Sequence, residues 1–441
     1  MKNIDIIWFI EHISRELDVA CAVGALLERS FGKKIEILPY TINQYKNTHT
    51  FNPKLVILPY CYSIKDSGLL NYLSNWPDTL YINIAWEQIF YKANLEYKAP
   101  RDIFSKKYVI HHSWSKARSK FLHERGVPKN HIFTNGHPAY KLYERPYKNF
   151  FVTRSELAKE FNLDHKKKWI FFPENYSWFF YSNHNLEEII KNGQNRSVVY
   201  SMRDYCSRAF NEVISWINEV SEKNKDTIEI ILRPRPAFSI TYFKEVLGKL
   251  FPRLSRNIHI VKDYSVREWI LSSDLVLSSF STSLIEGAIA RKPIYMLEPI
   301  PIPPPLVADW YKYVKKVRTK DDLYRVFKEK TQKLVYQKLH DWAKKEFFVK
   351  NDPIDGLVEY LGTLKIRQMK EQAEFLKKIL DNSSSLKYRL RDTKTQLITA
   401  LGNVKRRIKQ ESYYKNDDED RYLEEIKSKT RTYQNFFKNL S

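Results

Sequence analysis

The stretch "DLVLSSFSTSLIEGAIARKPIYML", residues 274–297, decides the fold prediction. An apolar run is followed by a hydroxyl-rich turn, an apolar helical pattern and a second apolar run. This is the strand, helix and strand order of a parallel sheet. Five of the six residues from Ser278 to Ser283 carry hydroxyl groups. Because a turn from strand to helix also offers free backbone N–H groups, the stretch predicts a phosphate site.

The hydroxyl groups of this turn have two interpretations. Ser279, Ser281, Thr282 and Ser283 are the predicted phosphate ligands, and Glu286 is predicted to accept hydrogen bonds from a ribose diol. The alternative is helix capping, since Ser283 and Glu286 have the spacing of a capping box. A capping box needs only one hydroxyl residue, so it leaves the other three unexplained.

A second candidate site lies about 45 residues earlier, in "IILRPRPAF". Arg233 and Arg235 follow an apolar strand, and Pro236 helps to stiffen the turn. Each arginine could bind a phosphate or carboxylate through paired N–H groups, and the alternative is a solvated basic turn. Lys262, which begins "KDYSVREWILSS", completes the predicted nucleotide-binding set.

The flanking sequence alternates strand and helix patterns on both sides of this stretch. We therefore predict an α/β protein with two Rossmann-like domains and a helical, basic C-terminal extension. The predicted parts are residues 1–150, the first Rossmann-like domain; 165–310, the second Rossmann-like domain, which contains the candidate phosphate site; 311–362, helices that pack back on the domains; and 363–441, a helical basic tail.

Composition narrows the class of protein further. The 441 residues carry a formal net charge of +23, which favours polyanionic or phosphorylated partners. Only three widely spaced cysteines occur, and no apolar run approaches the roughly 18 to 20 residues of a membrane span, so we expect a cytoplasmic protein. The basic tail suits an anionic surface at the inner face of the plasma membrane, a homo-oligomer or a docking partner. No nucleic-acid-binding signature occurs, so we expect no nucleic acid partner.

Acidic residues at predicted strand ends or facing a cleft are the catalytic candidates: Glu11, Glu16, Glu87, Glu174 and Asp204. Three of them are singled out as a candidate base or nucleophile, namely Asp204, Glu87 and Glu11. Asp204 could instead cap a helix that begins at Tyr205, Glu87 could bind the acceptor, and Glu11 could simply pair with Arg15.

Metal and cofactor signatures are sparse. His111, His112 and His137 match no zinc spacing, so we expect no metal, and His137 in "NGHP" is a candidate acceptor ligand. Neither GxGxxG nor GxxxxGK[ST] occurs, which argues against NAD and P-loop ATP chemistry. We expect no cofactor.

Taken in order, these motifs resemble a known family. The second half is similar to the donor half of GT-B glycosyltransferases, in which a Ser/Thr pair binds phosphate and a Glu binds ribose. The resemblance implies that residues 165–310 are the nucleotide-donor domain and residues 1–150 the acceptor-side domain. The chain also resembles bacterial surface-carbohydrate biosynthesis proteins related to Kdo and sialic-acid transferases. The shared motifs are "RELD" at 15–18, "WE" at 86–87, "GHP" at 136–138, "ENYSW" at 174–178, "RPRP" at 233–236 and "SFST" at 279–282.

The resemblance covers roughly residues 1–310 and implies transfer of a sugar, most simply Kdo from a CMP-sugar, to a glycan or lipid-linked acceptor of capsule or lipopolysaccharide. This sequence has Arg235 where the family often has histidine, which affects the nucleotide assignment. A UDP-sugar, GDP-sugar or CDP-polyol donor on the same fold is an alternative. A second alternative is a non-catalytic scaffold protein that binds polyanions.

Overall fold

The coordinates are a computed structural model that describes residues 1–91, 94–191, 194–235, 239–329, 334–365, 369–382 and 419–439. The chain forms two compact units. Unit 1 contains Met1–Gln88, Ala99–Pro138 and the described residues of Val349–Ser441, and unit 2 contains Ile89–Lys98 and Ala139–Phe348. The chain therefore returns to unit 1 after completing unit 2.

Each unit contains a six-stranded parallel sheet. The strands of unit 1 are β1 (Lys2–Ile10), β2 (Ile35–Pro39), β3 (Phe51–Leu58), β4 (Leu80–Asn83), β5 (Val109–Ser113) and β6 (Ile132–Thr134). Those of unit 2 are β7 (Lys168–Pro173), β8 (Ile228–Arg233), β9 (Ile258–Ile260), β10 (Leu275–Ser278), β11 (Ile294–Leu297) and β12 (Lys316–Val317). The central strands are apolar along most of their length because helices cover both faces of such sheets.

Helices connect and cover the strands. In the first half of the chain they are α1 (Ile13–Phe31), α2 (Gln44–Thr50), α3 (Leu69–Asn75), α4 (Ile103–Lys107), α5 (Lys116–Glu124), α6 (Pro138–Lys141), α7 (Arg154–Phe161), α8 (Ser177–Phe180) and α9 (Asn183–Lys191). They continue with α10 (Arg196–Lys223), α11 (Ile240–Leu250), α12 (Val266–Ser272), α13 (Ser283–Ile289), α14 (Lys320–Lys328), α15 (Gln337–Phe347), α16 (Pro353–Thr363), α17 (Lys370–Asn382) and α18 (Glu419–Asn439). Among the described residues, no helix combines the length and apolarity needed to cross a bilayer.

The strand order fixes where each unit can bind a ligand. The order β2-β1-β3-β4-β5-β6 in unit 1 reverses direction between β1 and β3, and β12-β11-β10-β7-β8-β9 in unit 2 reverses between β7 and β10. Helices leave a crevice at such a reversal, and ligands bind there at the carboxyl ends of the strands. Both sheets confirm the predicted α/β class with two Rossmann-like halves.

Helix α1 is buried over more than half of its length, and α16 and α18 both pack against it. From α18, Ile426, Tyr433 and Phe437 are buried, and the Lys429 Nζ lies 2.8 Å from the Asp18 Oδ1. The final described helix of the basic tail predicted for residues 363–441 thus packs against α1 of the same chain, and Lys429 forms an ion pair with Asp18.

Gly356 in α16 provides a test of this packing. A Cβ at this position would collide with the Oδ1 of Asn135, a buried side chain whose Nδ2 donates to the Pro353 carbonyl at 2.7 Å. We expect Gly356→Ala to destabilise the protein by about 2 kcal/mol, because overpacking a filled site forces its neighbours to move. Thermal unfolding measures the effect.

The matched control is Gly248→Ala in α11, where a Cβ would meet nothing within 4 Å. Alanine should stabilise that helix by about 0.5 to 1 kcal/mol. A rise in the unfolding temperature of Gly356→Ala comparable to that of the control would contradict the close contact with Asn135.

Candidate functional site

The switch point of unit 2 lies between the ends of β7 and β10, and two serines stand there. The Ser278 Oγ donates to the Pro173 carbonyl at 2.6 Å, which ties the two strand ends together. Ser279 is fully buried, with its hydroxyl beside that of Tyr176. The first two hydroxyl groups of the predicted phosphate turn therefore lie in the interior of the unit.

Ser281 and Thr282 lie nearer the surface, whereas the predicted phosphate ligand Ser283 is buried. Ser281 is half-buried, and its Oγ accepts a hydrogen bond from the Ser283 N–H at 3.2 Å. Thr282 is exposed and stands at the N-cap of α13 in a helical conformation, without a side-chain capping bond. The hydroxyl groups best placed to meet a ligand are those of Ser281 and Thr282.

The alternative interpretation of Ser283 and Glu286 as a capping box is wrong. Thr282, not Ser283, is the N-cap, and Glu286 accepts a hydrogen bond from the Tyr143 hydroxyl at 2.5 Å. Tyr143 is buried, and the Arg267 guanidinium lies 5.6 Å from its ring centroid. Because its partner is more than 140 residues away in sequence, local spacing could not predict this bond.

The two arginines of "RPRP" differ in environment. Arg233 is buried, and its Nη2 donates to the carbonyls of Lys262 at 3.2 Å and Tyr264 at 2.8 Å. Burial lowers the pKa of Arg233 to about 10. This corrects the expectation that each of the two arginines could bind a phosphate or carboxylate, since the Arg233 guanidinium donates to backbone carbonyls instead.

Arg235 is half-buried, and its Nη1 donates to the Ser177 Oγ at 3.0 Å. It is the arginine at this edge whose charge remains accessible to an anion. Lys262 is half-buried and contributes its carbonyl to Arg233. Pro236 lies outside the described residues.

Glu174 belongs to this edge, although the sequence placed it only among the acidic candidates. Its N–H donates to the Arg233 carbonyl at 2.9 Å, and its Oε1 accepts from the Tyr176 N–H. Within the described part of the chain, Oε2 makes no hydrogen bond. Burial raises the pKa of the Glu174 carboxyl to about 7, and the nearby Arg235 charge opposes this shift. Its position directly after the first strand of unit 2 was the available sequence signal.

The switch point of unit 1 gathers three carboxylates around one guanidinium. Arg15 donates to the Glu16 Oε1 at 2.8 Å from Nη2 and to the Glu87 Oε1 at 3.1 Å from Nη1, and its Nη2 lies 3.5 Å from the Glu11 Oε2. Glu16 is fully buried and also accepts the Glu11 N–H at 2.8 Å. Burial raises the pKa of Glu16 to about 7, with Arg15 opposing. The predicted Glu11 and Glu87 are thus brought together.

Glu87 is held by a rigid turn after β4. Ala85 has a φ of 41°, a left-handed value that is uncommon for alanine, and its N–H donates to the Asn83 Oδ1 at 3.0 Å. The buried Gln88 amide donates to the carbonyls of Ile84, Ala85 and His112. This turn fixes the backbone on both sides of Glu87, whose side chain is exposed.

Asp204 does not lie at a strand end. It stands within α10, which begins at Arg196 after the Asn195 cap, so the predicted helix start at Tyr205 is wrong. Its carboxylate is exposed and pairs with Arg208 at 3.0 Å. This surface ion pair on a helix accounts for the residue without a catalytic role.

The three histidines considered as metal or acceptor ligands, His111, His112 and His137, are buried in unit 1. His111 and His112 are buried, and burial lowers the pKa of each to about 4. His137 stacks on Trp114, with 3.6 Å between ring centroids. Among the residues that the structure describes, no group of three or more His, Cys, Asp or Glu side chains could hold a metal ion.

Comparison with known proteins identifies the fold. No family model matches the sequence, and a search of curated proteins finds no match. Among solved structures, the wall teichoic acid polymerase TagF in a soak with CDPG is 11% identical, with 84% of this chain and 88% of that chain covered and a TM-score of 0.51. MnaA of S. aureus with UDP is 11% identical over 82% and 96% of the chains, with a TM-score of 0.48. HepE of Anabaena with UDP-glucose is 10% identical over 82% and 100%, with a TM-score of 0.46.

These identities concern the fold alone. The two Rossmann-like units, with a helix at the C-terminal end of the described chain, have the GT-B fold. The function of this chain has to be argued from its own side chains.

Proposed function

We propose that the protein is a glycosyltransferase of bacterial surface-polysaccharide synthesis that binds a nucleotide-activated sugar at the carboxyl edge of the unit 2 sheet. The observation that carries this proposal is the switch point between β7 and β10. There the strand order places Arg235 and the Ser281 and Thr282 hydroxyl groups around one edge. A guanidinium with neighbouring hydroxyl groups suits a phosphate.

The donor is proposed to carry a cytidine nucleotide. The motif resemblance favours a CMP-sugar such as CMP-Kdo, and TagF, which shares the fold, was soaked with CDPG. Glu286, held by Tyr143, is the proposed ligand of the ribose hydroxyl groups. UDP-sugars and GDP-sugars remain alternative donors that the experiment below separates.

The acceptor side is proposed to be unit 1. Glu11 and Glu87 are exposed carboxylates at its switch point, positioned through Arg15. Either carboxylate could take the proton of an attacking acceptor hydroxyl, which is the role that a general base performs in sugar transfer. We assign no base role to Asp204.

Attraction to an anionic membrane surface at the cytoplasmic face is part of the proposal, because lipid-linked acceptors reside there. The net charge of +23 supports it. Lys429 is excluded from that role by its ion pair with Asp18. A homo-oligomer is the alternative use of the C-terminal region.

The test is a thermal-shift panel of the purified protein with CMP, CDP, UDP, UMP, GDP and AMP. A nucleotide at about 100 times its dissociation constant should stabilise the protein by about 2.7 kcal/mol. The double variant Ser281→Ala with Thr282→Ala should weaken binding of the responding nucleotide about tenfold or more, because it removes both accessible hydroxyl groups.

The matched control is Ser201→Ala, which removes an exposed hydroxyl on α10 of the same unit. It should bind like the wild type. A response confined to UDP or GDP would replace the proposed donor. If none of the six nucleotides raises the unfolding temperature, or if the double variant binds with unchanged affinity, a phosphate site on this turn is contradicted.

A further inference from the structure

We propose that Glu174 is a ligand of the donor phosphate, and that its carboxyl group donates a hydrogen bond from Oε2 to a phosphate oxygen. This inference rests on the proposed function and identifies a residue that the sequence did not place in the nucleotide-binding set. It also makes donor binding dependent on a proton.

The position of Glu174 supports this role. It follows β7 directly at the switch point, next to the strand end that Ser278 ties to Pro173. The side chain is 3% exposed, and Tyr176 occupies Oε1. Oε2 makes no hydrogen bond within the described residues. A buried oxygen of this kind marks a place where a ligand can complete the hydrogen bonding.

The charges around the carboxyl group decide its protonation state in the complex. Burial favours the protonated form, whereas the Tyr176 N–H, the positive charge of Arg235 at the end of β8 and the Arg235 backbone N–H all favour the ionised carboxylate. Tyr176 from its own loop and Cys206 from α10 face it as neutral groups, since burial raises the pKa of both. The Arg233 side chain is directed to the Lys262 and Tyr264 carbonyls instead.

A phosphate held by Arg235 would bring negative charge beside Glu174. An ionised carboxylate would repel that charge, whereas a protonated carboxyl group donates to it. The pKa near 7 in the free protein means that the protonated form is readily available. Binding should raise this pKa further, so each bound phosphate ligand takes up about half a proton from solvent at pH 7 and close to one at pH 8.

The experiment is isothermal titration calorimetry with CMP-sialic acid, UDP-glucose, GDP-mannose and CDP-choline. Their phosphates are diesters, so they lack the phosphate ionisation near pH 6 that nucleoside monophosphates and diphosphates have. Titrations at pH 8 in two buffers of different ionisation enthalpy count the protons taken up. We expect nearly one proton per bound ligand, and affinity that falls about tenfold between pH 7 and pH 8.5.

Glu174→Gln supplies a permanent N–H donor of the same shape. We expect it to bind without proton uptake and, at pH 8.5, more tightly than the wild type. The control is Glu229→Gln in β8, a buried glutamate that pairs with His259 and Lys167. It should retain the proton uptake of the wild type.

The outcomes separate the two proposals. If none of the four ligands binds at pH 6.5, the proposed function fails and this inference fails with it. Binding without proton uptake at pH 8 overturns the inference alone. The proton count on the wild type decides the matter even if the Glu174→Gln protein does not fold.

Discussion

Lys429→Met should destabilise unit 1 by about 3 kcal/mol, because it removes the ammonium group that neutralises a buried carboxylate. Asp18 is 1% exposed, and its Oδ1 lies 2.8 Å from the Lys429 Nζ. The Tyr433 hydroxyl, at 3.4 Å, is too distant to replace a full charge. Hydrogen exchange measured on peptides from α1 tests this prediction. We expect the backbone amides of α1 to exchange about a hundredfold faster than in the wild type.

Two controls make this result specific to the ion pair. Asp18→Asn combined with Lys429→Met removes both charges and should recover most of the lost stability. Lys223→Met breaks an exposed pair with Glu219 on α10 and should cost less than about 0.5 kcal/mol. If Lys429→Met leaves α1 exchange unchanged, α18 does not cover α1 in solution.

Arg235→Gln should weaken binding of the responding nucleotide by about tenfold to a hundredfold, since a charge-assisted hydrogen bond contributes roughly 1.5 to 3 kcal/mol. Ser177→Ala should show a smaller loss in the same direction, because Ser177 accepts from the Arg235 Nη1 and orients the guanidinium. Calorimetric titration with the nucleotide identified by thermal shift measures both.

Arg208→Gln is the matched control, because it removes an exposed guanidinium that pairs with Asp204 on α10 of the same unit. It should bind nucleotide as the wild type does. An equal loss in both variants would mean that general positive charge, not a site at the end of β8, attracts the ligand. No loss in Arg235→Gln would remove this residue from the proposed site.

The fold was predictable because its signals are local. Strands such as β7 and β10 are apolar on both faces. The hydroxyl turn after Ser278 marks the end of β10, beside which the strand order of the sheet reverses. The sequence could therefore indicate two Rossmann-like halves and the stretch that forms one edge. It could also indicate Glu11 and Glu87, because each follows an apolar strand.

The remaining site depends on long-range contacts that spacing does not contain. Glu286 turns to Tyr143 rather than to its own helix end, and Arg233 turns inward to backbone carbonyls while Arg235 does not. Asp204 could be taken for a helix cap from its residue type, but the helix already begins after its cap Asn195, nine residues earlier. The docking of α18 on α1 joins segments at opposite ends of the chain, so no local pattern could reveal it.

The discontinuous composition of unit 1 has a consequence for its synthesis on the ribosome. Its strands β1 to β6 emerge before any of the unit 2 sheet, yet α16 and α18 are translated after unit 2 is complete. Domains fold as they emerge, so unit 2 can reach its native state while the face of α1 still awaits its covering helices. A nascent chain halted after Phe348 would expose that apolar face to chaperones, and the last stretch of translation closes it.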